Sequence, residues 1–111
     1  GNPQLIQEIE KRARAEITEV PIYRTEYVNS FQMFDINRQF AQGLIHMAVF
    51  TSASTVRGFA RAAKGLDFGL VQAVCIGVQT ESAARELGMK TVTAKRATID
   101  SLVDACLEVE K

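Results

Sequence analysis

Hydrophobic residues recur at two spacings along the chain, and these spacings predict where helices and strands lie. In the first third, apolar residues repeat every three or four positions from Leu5 to Ala15, which predicts an amphipathic helix. Rough alternation then predicts a short strand from Ile17 to Tyr23, where Pro21 favours a sheet edge or a strand start. No clear period follows from Thr25 to Ser30. A further helix is expected from Met33 to near Gly43.

From Leu44 onward the pattern predicts three successive strand–turn–helix units. The predicted strands and turns are, in order, Met47–Phe50 with Thr51–Ser54, Val71–Ile76 with Gly77–Thr80, and Thr91–Ala94 with Lys95–Ala97. An apolar helical face follows each turn; Gly88 is suited to end the second helix and Thr98 to cap the third. Alternating strands and helices predict the α/β class, a parallel sheet with right-handed crossovers and flanking helices.

The three predicted turns contain the candidate site. In a parallel sheet the strands end at one edge, where helices also begin, so backbone N–H groups, helix dipoles and hydroxyl groups converge there. Such an edge suits carboxylates or phosphates. The alternative for each residue taken alone is a helix N-cap with no ligand. The residues concerned are Thr51, Ser52, Ser54 and Thr55 in the first turn, Gly77 and Thr80 in the second, and Thr98 in the third.

The composition and the absence of several motifs leave some classes of function unsupported. Thirteen basic and thirteen acidic residues cancel in the 111-residue chain, so no global charge attracts nucleic acid or an anionic membrane. No apolar run approaches the roughly 20 residues that span a bilayer, which predicts a soluble protein. The chain has no GxGxxG, no GxxxxGK[ST], no GxSxG and no acidic cluster at a strand end. Dinucleotide, P-loop and hydrolase chemistry are therefore unsupported, and neither a metal nor a cofactor is predicted.

Five further side chains could carry chemistry on their own. Cys75 and Cys106 have no CxxC spacing, so they are expected to be buried thiols in a reducing cytoplasm, with a catalytic thiol as the lesser alternative. His46, the single histidine, has no partner in sequence to orient it as a base and is expected to be a polar residue at a strand edge. By composition alone, Tyr23 and Tyr27 are packing residues with a polar tip.

Five segments together resemble one enzyme family. Residues 48–54 (AVFTSAS) resemble the FTSPS-like segment of uroporphyrinogen-III synthases, and residues 73–80 (AVCIGVQT) resemble the segment of that family that ends in a threonine pair. Residues 20–25 (VPIYRT), 84–88 (ARELG) and 94–102 (AKRATIDSL) match three further family elements in the same order. The chain departs from the family pattern at Ala53 and Val78, where proline is frequent, and at Gln79, which replaces a threonine.

This resemblance implies a fold and an organisation. The family has two α/β domains joined by a two-stranded linker, with the active site between them. Residues 1–25 would be the end of the second domain, and residues 26–111 the larger part of the first, a flavodoxin-like half. Both pieces would be incomplete, so either the chain is part of a longer polypeptide, such as a methyltransferase fusion, or another copy completes its sheets as a homodimer or by strand exchange.

The resemblance also implies a reaction. The family converts hydroxymethylbilane, a linear tetrapyrrole with eight carboxylates, into uroporphyrinogen III, the ring precursor of haem, sirohaem and cobalamins. Water is lost and ring D is inverted, without a cofactor or metal. By motif position, Tyr23 would assist departure of the hydroxyl group. Substrate carboxylates would be held by Ser52, Ala53, Ser54, Gly77, Val78, Gln79, Thr80 and Thr98. The alternative is a non-catalytic α/β binding or regulatory module, or a degenerate synthase half fused to another tetrapyrrole enzyme.

Overall fold

The computed structural model describes residues 4, 7–8, 11, 22–23, 26–27, 37–43, 45 and 47–110. Besides a helical segment at residues 37–41, these residues form eight elements. The elements are β1 (Ile22–Tyr23), β2 (Glu26–Tyr27), β3 (Met47–Phe50), α1 (Ala53–Ala62), β4 (Gln72–Cys75), α2 (Val78–Glu86), β5 (Lys90–Thr93) and α3 (Ile99–Glu110). A 3-10 turn at Phe68–Leu70 precedes β4 and is not predicted by the sequence pattern.

Three strands form a parallel sheet in the order β3–β4–β5, with β4 in the middle. The register aligns Phe50 with Cys75 and Cys75 with Thr93, so the three strands end level with one another. Parallel neighbours require crossover connections, and α1 and α2 supply them. The predicted α/β class, with a parallel sheet and flanking helices, is confirmed. It is consistent with the flavodoxin-like half that the family resemblance implies.

A second, smaller sheet consists of β1 and β2. The two strands are antiparallel, with Ile22 opposite Tyr27 and Tyr23 opposite Glu26, and they lie next to α1. β1 coincides with the end of the strand predicted over residues 17–23, whereas residues 17–21 lie outside the described residues. The pattern after Thr25 does not predict β2. The domain boundary expected between residues 25 and 26 falls in the connection between the two strands and stays a prediction.

The predicted helices of the first third are described only in part. Within the predicted helix at 5–15, residues 7, 8 and 11 are helical, and the others lie outside the described residues. The helix expected to end near Gly43 is present at residues 37–41, and Gly43 follows with φ of 76°. A positive φ is readily adopted by glycine, so Gly43 ends this helix as expected. Residues 33–36 of that prediction lie outside the described residues.

Alternation along the strands divides the apolar side chains between two faces of the sheet. Ala73 and Cys75 of β4 pack in one core with α1 and α2. Val74, between them, packs in a second core against Leu102 and Val103 of α3. Because successive side chains of a strand point to opposite faces, β4 must be apolar throughout when both faces are covered. The central strand is therefore buried from Ala73 to Cys75.

Phe59 of α1 is the centre of the first core. Its ring makes edge-to-face contacts with Phe50 on β3, with Phe40 in the preceding helical segment and with Phe68 in the 3-10 turn, at centroid distances of 5.6, 6.1 and 6.4 Å. Edge-to-face geometry is a favoured arrangement of aromatic rings. Phe59 thus connects α1 to β3, to the helical segment that precedes β3 and to the 3-10 turn that follows α1.

The helix ends show where the sequence prediction holds and where it is wrong. Gly88 has φ of 92°, and the amides of Gly88 and Met89 bond to the carbonyls of Arg85 and Ala84, which forms a Schellman motif as the predicted C-terminal stop. The predicted turns Thr51–Ser54 and Gly77–Thr80 are too long, because α1 already begins at Ala53 and α2 at Val78. The strand predicted at 91–94 lies one residue earlier.

Candidate functional site

The first turn of the site contains a compact group of hydroxyl side chains. Ser52, the N-cap of α1, accepts a 3.2 Å hydrogen bond from the Thr55 amide, and Thr55 Oγ1 donates a 2.7 Å bond to the Ser52 carbonyl. The Ser52 and Ser54 hydroxyl oxygens lie 3.1 Å apart. The Ser52 hydroxyl is therefore engaged in capping, as the N-cap alternative requires. Ser54 is exposed and is the more accessible hydroxyl group of the two.

The second turn offers backbone amides without a side-chain cap. Gly77 is the N-cap of α2 and has no side chain with which to satisfy the first amides of the helix. A Cβ at Gly77 would meet no atom within 4 Å, so the N-cap faces open space. Val78 is 75% exposed and Gln79 is also exposed. The amides of this first turn are consequently accessible at the positive end of the helix dipole.

Thr80 differs from its neighbours because its side chain is turned inward. It is 4% exposed and is the only buried polar residue among those that the structure describes. Ala83 and Ala84, the other buried residues of α2, lie on the same helix face. Thr80 therefore belongs to the buried face of α2, although it lies in the first turn of that helix.

The third turn connects β5 to α3. Thr98 Oγ1 accepts a 3.1 Å bond from the Ser101 amide, which makes Thr98 the N-cap that the sequence predicts. Ser101 Oγ in turn accepts a 3.0 Å bond from the Arg96 amide. The Thr98 side chain is exposed. This turn is therefore held by two reciprocal hydrogen bonds between the loop and the first turn of α3.

The sheet places the three turns beside one another. The Ile76 amide donates to the Phe50 carbonyl at 3.2 Å, and the Ala94 amide donates to the Cys75 carbonyl at 2.8 Å, so hydrogen bonding continues to the last residue of each strand. Adjacent strands lie about 4.8 Å apart, which spreads the three turns over roughly 10 Å. All the predicted binding residues from Ser52 to Thr98 lie along this edge or in the helical turns that start there. Tyr23 lies on β1, which is next to α1.

A polar network behind the second turn is not predicted by the sequence pattern. The Glu81 carboxylate accepts a 2.7 Å bond from the Thr93 hydroxyl and forms a 2.7 Å ion pair with Arg85. Arg85 Nε also donates a 3.1 Å bond to Thr91 Oγ1. The spacing of Glu81 and Arg85 by four residues is the one signal that sequence carries for this network. The bonds to β5 depend on the tertiary structure.

Burial determines the chemistry of the cysteines. Cys75 and Cys106 are both buried and free. Burial, together with a smaller contribution from the Glu81 carboxylate, raises the pKa of the Cys75 thiol to about 11. The Cys75 thiol is thus protonated near neutral pH and is a poor nucleophile. The prediction of buried thiols is confirmed. His46 lies outside the described residues, and its expected role stays a prediction.

Two other findings concern metal binding and membrane crossing. Among the residues that the structure describes, no three His, Cys, Asp or Glu side chains come together in a group that could hold a metal ion. The helices in the described part of the chain are also too short or too polar to cross a membrane.

Comparison with known proteins gives two matches. The chain matches the family model described as uroporphyrinogen-III synthase HemD over residues 1–104. It is also 38% identical over 90 residues to a porphyrin biosynthesis protein HemD from Ruminiclostridium josui, and this match covers 81% of the chain but 18% of that protein. No solved structure gives a significant match to the chain.

Proposed function

Because the chain belongs to the uroporphyrinogen-III synthase family, we propose that it forms part of an enzyme that converts hydroxymethylbilane into uroporphyrinogen III. The reaction closes a linear tetrapyrrole, releases water and inverts ring D. Its product would supply haem, sirohaem or cobalamin synthesis. The chain spans 18% of the length of its curated relative. We therefore propose the activity for a longer polypeptide that contains this chain and expect the isolated chain to be inactive.

The observation that carries the proposal is the level alignment of three strand-to-helix turns at one sheet edge. Hydroxymethylbilane carries eight carboxylates, and an edge that combines the uncapped amides of α2 with the hydroxyl groups of the flanking turns is suited to bind several of them. Gly77 leaves the first amides of α2 open to such a ligand, since no side chain fills the space in front of it. A single N-cap would not support the proposal, but three adjacent turns do.

We propose the following division of roles. Ser54 and Ser52, with the amides of Ala53 and Ser54, would hold acetate or propionate groups at the first turn. The second turn would do the same through Gly77, Val78, Gln79 and Thr80, with Thr80 contributing its amide because its side chain is buried, and the third turn through Thr98. Gln79 stands where the family has a threonine, so we expect its amide to contribute more than its side chain.

Catalysis by this edge would consist mainly of holding the substrate. The segments 51–54, 76–80 and 94–98 contain no Asp, Glu, His or Cys, so they provide no carboxylate, imidazole or thiol that could act as general base or nucleophile. Fixing the linear chain with its ends together favours ring closure by proximity and orientation, and the pose decides which isomer forms. Tyr23, on β1 beside α1, would donate a hydrogen bond to the departing hydroxyl group.

One assay tests the proposal. The chain is incubated with hydroxymethylbilane alone, and also together with a polypeptide that supplies the remainder of a synthase of this family. The products are oxidised and the uroporphyrin isomers I and III are separated by chromatography. We expect isomer III only in the complemented sample. The remainder without the chain is the control and should yield isomer I, which forms without enzyme.

A different result would favour the second candidate, a non-catalytic module within a larger tetrapyrrole enzyme. The small share of the relative that the chain covers makes this alternative worth testing. Isomer I alone from every sample would contradict the synthase proposal. We further propose a cytoplasmic location, because two buried free cysteines suit a reducing compartment.

A further inference from the structure

Two basic side chains lie at the proposed binding edge without an assigned role. Lys95 and Arg96 follow β5, and they are the only formally charged residues in the segments 51–54, 76–80 and 94–98 that connect the strands to the helices. Both side chains are exposed. These loop segments therefore carry two positive charges, and carboxylates follow only in the first turns of the helices, at Glu81 and Asp100.

The backbone that carries these cations is fixed on both sides. On one side, Ala94 is buried and its amide donates a 2.8 Å bond to the Cys75 carbonyl on the neighbouring strand. On the other side, the Arg96 amide donates a 3.0 Å bond to Ser101 Oγ, and the Ser101 amide donates to Thr98 Oγ1. A short loop held in this way loses little backbone entropy when a ligand binds.

The charge of the pair is not neutralised by a neighbour in the described part of the chain. Asp100, the carboxylate closest to the pair in sequence, lies on the exposed side of α3 and forms an ion pair with neither cation there. Glu81, on the adjacent helix, is engaged by Arg85 and Thr93 instead. Two unpaired cations on a fixed loop attract an anionic ligand and remain available to bind it.

We infer that Lys95 and Arg96 form a cationic subsite that binds carboxylates of the tetrapyrrole at the β5–α3 loop. This inference rests on the proposed function and adds charged ligands to its hydroxyl and amide donors. The subsite selects for ligands with many carboxylates, because each added carboxylate near the loop gains an ion pair that an uncharged substituent does not. It also makes binding sensitive to salt, because exposed ion pairs are screened.

Binding of uroporphyrin, which has eight carboxylates, tests the inference in the full-length protein that contains this chain. Quenching of porphyrin fluorescence gives the Kd, and coproporphyrin, with four carboxylates, serves as the comparison ligand. The test variant is Lys95→Ala with Arg96→Ala. The matched control is Lys64→Ala with Lys90→Ala, which removes the same charge from exposed positions after α1 and at the start of β5, at the opposite edge of the sheet.

We expect the test variant to bind uroporphyrin about tenfold more weakly, to lose part of its preference over coproporphyrin and to show a shallower salt dependence. The control and a charge-preserving variant, Lys95→Arg with Arg96→Lys, should bind like the wild type. Equal binding by the test variant and the wild type, an equal loss in the control, or no binding by the wild type would overturn the inference. A different result would contradict the proposed function alone: uroporphyrin binds through the subsite, but the full-length protein makes no isomer III.

Discussion

The Thr93 hydroxyl donates a 2.7 Å hydrogen bond to Glu81 Oε1 and so joins the end of β5 to the first turn of α2. The second oxygen of the carboxylate forms an ion pair with Arg85. The Glu81 side chain is 20% exposed, which partly shields its bond to Thr93 from water, whereas the Arg85 side chain of the ion pair is 68% exposed. The network therefore holds the helix turn that is proposed to bind substrate against the sheet.

A double-mutant cycle measures this bond. Thr93→Val removes the donor, Glu81→Gln weakens the acceptor, and each should lower the free energy of unfolding by about 1 kcal/mol. The double variant should lose less than the sum, with a coupling of about 1 kcal/mol in urea denaturation. Glu86→Gln, at an exposed position of the same helix, is the control and should change little. Additive losses would mean that the two side chains do not interact in solution.

The aromatic cluster predicts a strong dependence on Phe59. Phe59→Ala removes all three edge-to-face contacts and leaves a cavity in the first core, so unfolding free energy should fall by about 3–5 kcal/mol. Phe68→Ala removes one ring contact from a half-buried position and should have a smaller effect. Urea denaturation of the two variants gives the comparison. A larger loss for the Phe68 variant would contradict this ranking.

The buried thiol of Cys75 should make stability depend on pH. The folded state keeps the thiol proton up to a pKa of about 11, whereas the unfolded chain releases it near 9.0. Between these values the unfolded state binds fewer protons, so this contribution to stability is complete below pH 9 and falls as pH rises to 11. Unfolding free energies at several pH values check this. Cys75→Ala should show a shallower decline than the wild type, and equal slopes would contradict the assignment.

Ser52 allows capping to be separated from substrate binding. Ser52→Ala should lower the unfolding free energy by about 1 kcal/mol, because the Thr55 amide loses its acceptor. Ser52→Asp keeps an acceptor at the helix N-terminus, so its stability should stay within about 0.5 kcal/mol of the wild type. Its negative charge would repel substrate carboxylates and raise the KM for hydroxymethylbilane in the full-length protein. An unchanged KM would place the substrate away from this turn.

The role proposed for Tyr23 depends on its hydroxyl group. Tyr23→Phe should slow formation of isomer III at least tenfold in the full-length protein, since general acid assistance typically contributes about 100-fold or more. Stability should be measured alongside turnover, so that a loss of fold is not taken for a loss of catalysis. Tyr27→Phe on the paired strand is the matched control. Turnover unaffected by Tyr23→Phe would remove Tyr23 from the mechanism.

The sequence alone determined the α/β class and the order of the three strand–turn–helix units. It could do so because these features depend on local patterns: alternation in strands, a helical period after each turn, and residues that cap or end helices. Thr98 caps α3 and Gly88 ends α2 as expected from local chemistry. The segments that resemble the synthase family were also readable, because they coincide with these turns.

Only the tertiary structure decided which groups of the turns are accessible and which are held in the core or in hydrogen bonds. Val78 and Gln79, in the first helical turn after Gly77, are exposed, so no apolar pattern marks this turn as helical. The start of α2 is defined instead by backbone hydrogen bonds such as that from the Glu81 amide to the Gly77 carbonyl. Thr80 points into the core because its face of α2 covers the sheet. Glu81 meets Thr93 across 12 residues because β5 lies beside β4. Such contacts depend on chain packing, and no local sequence pattern encodes them.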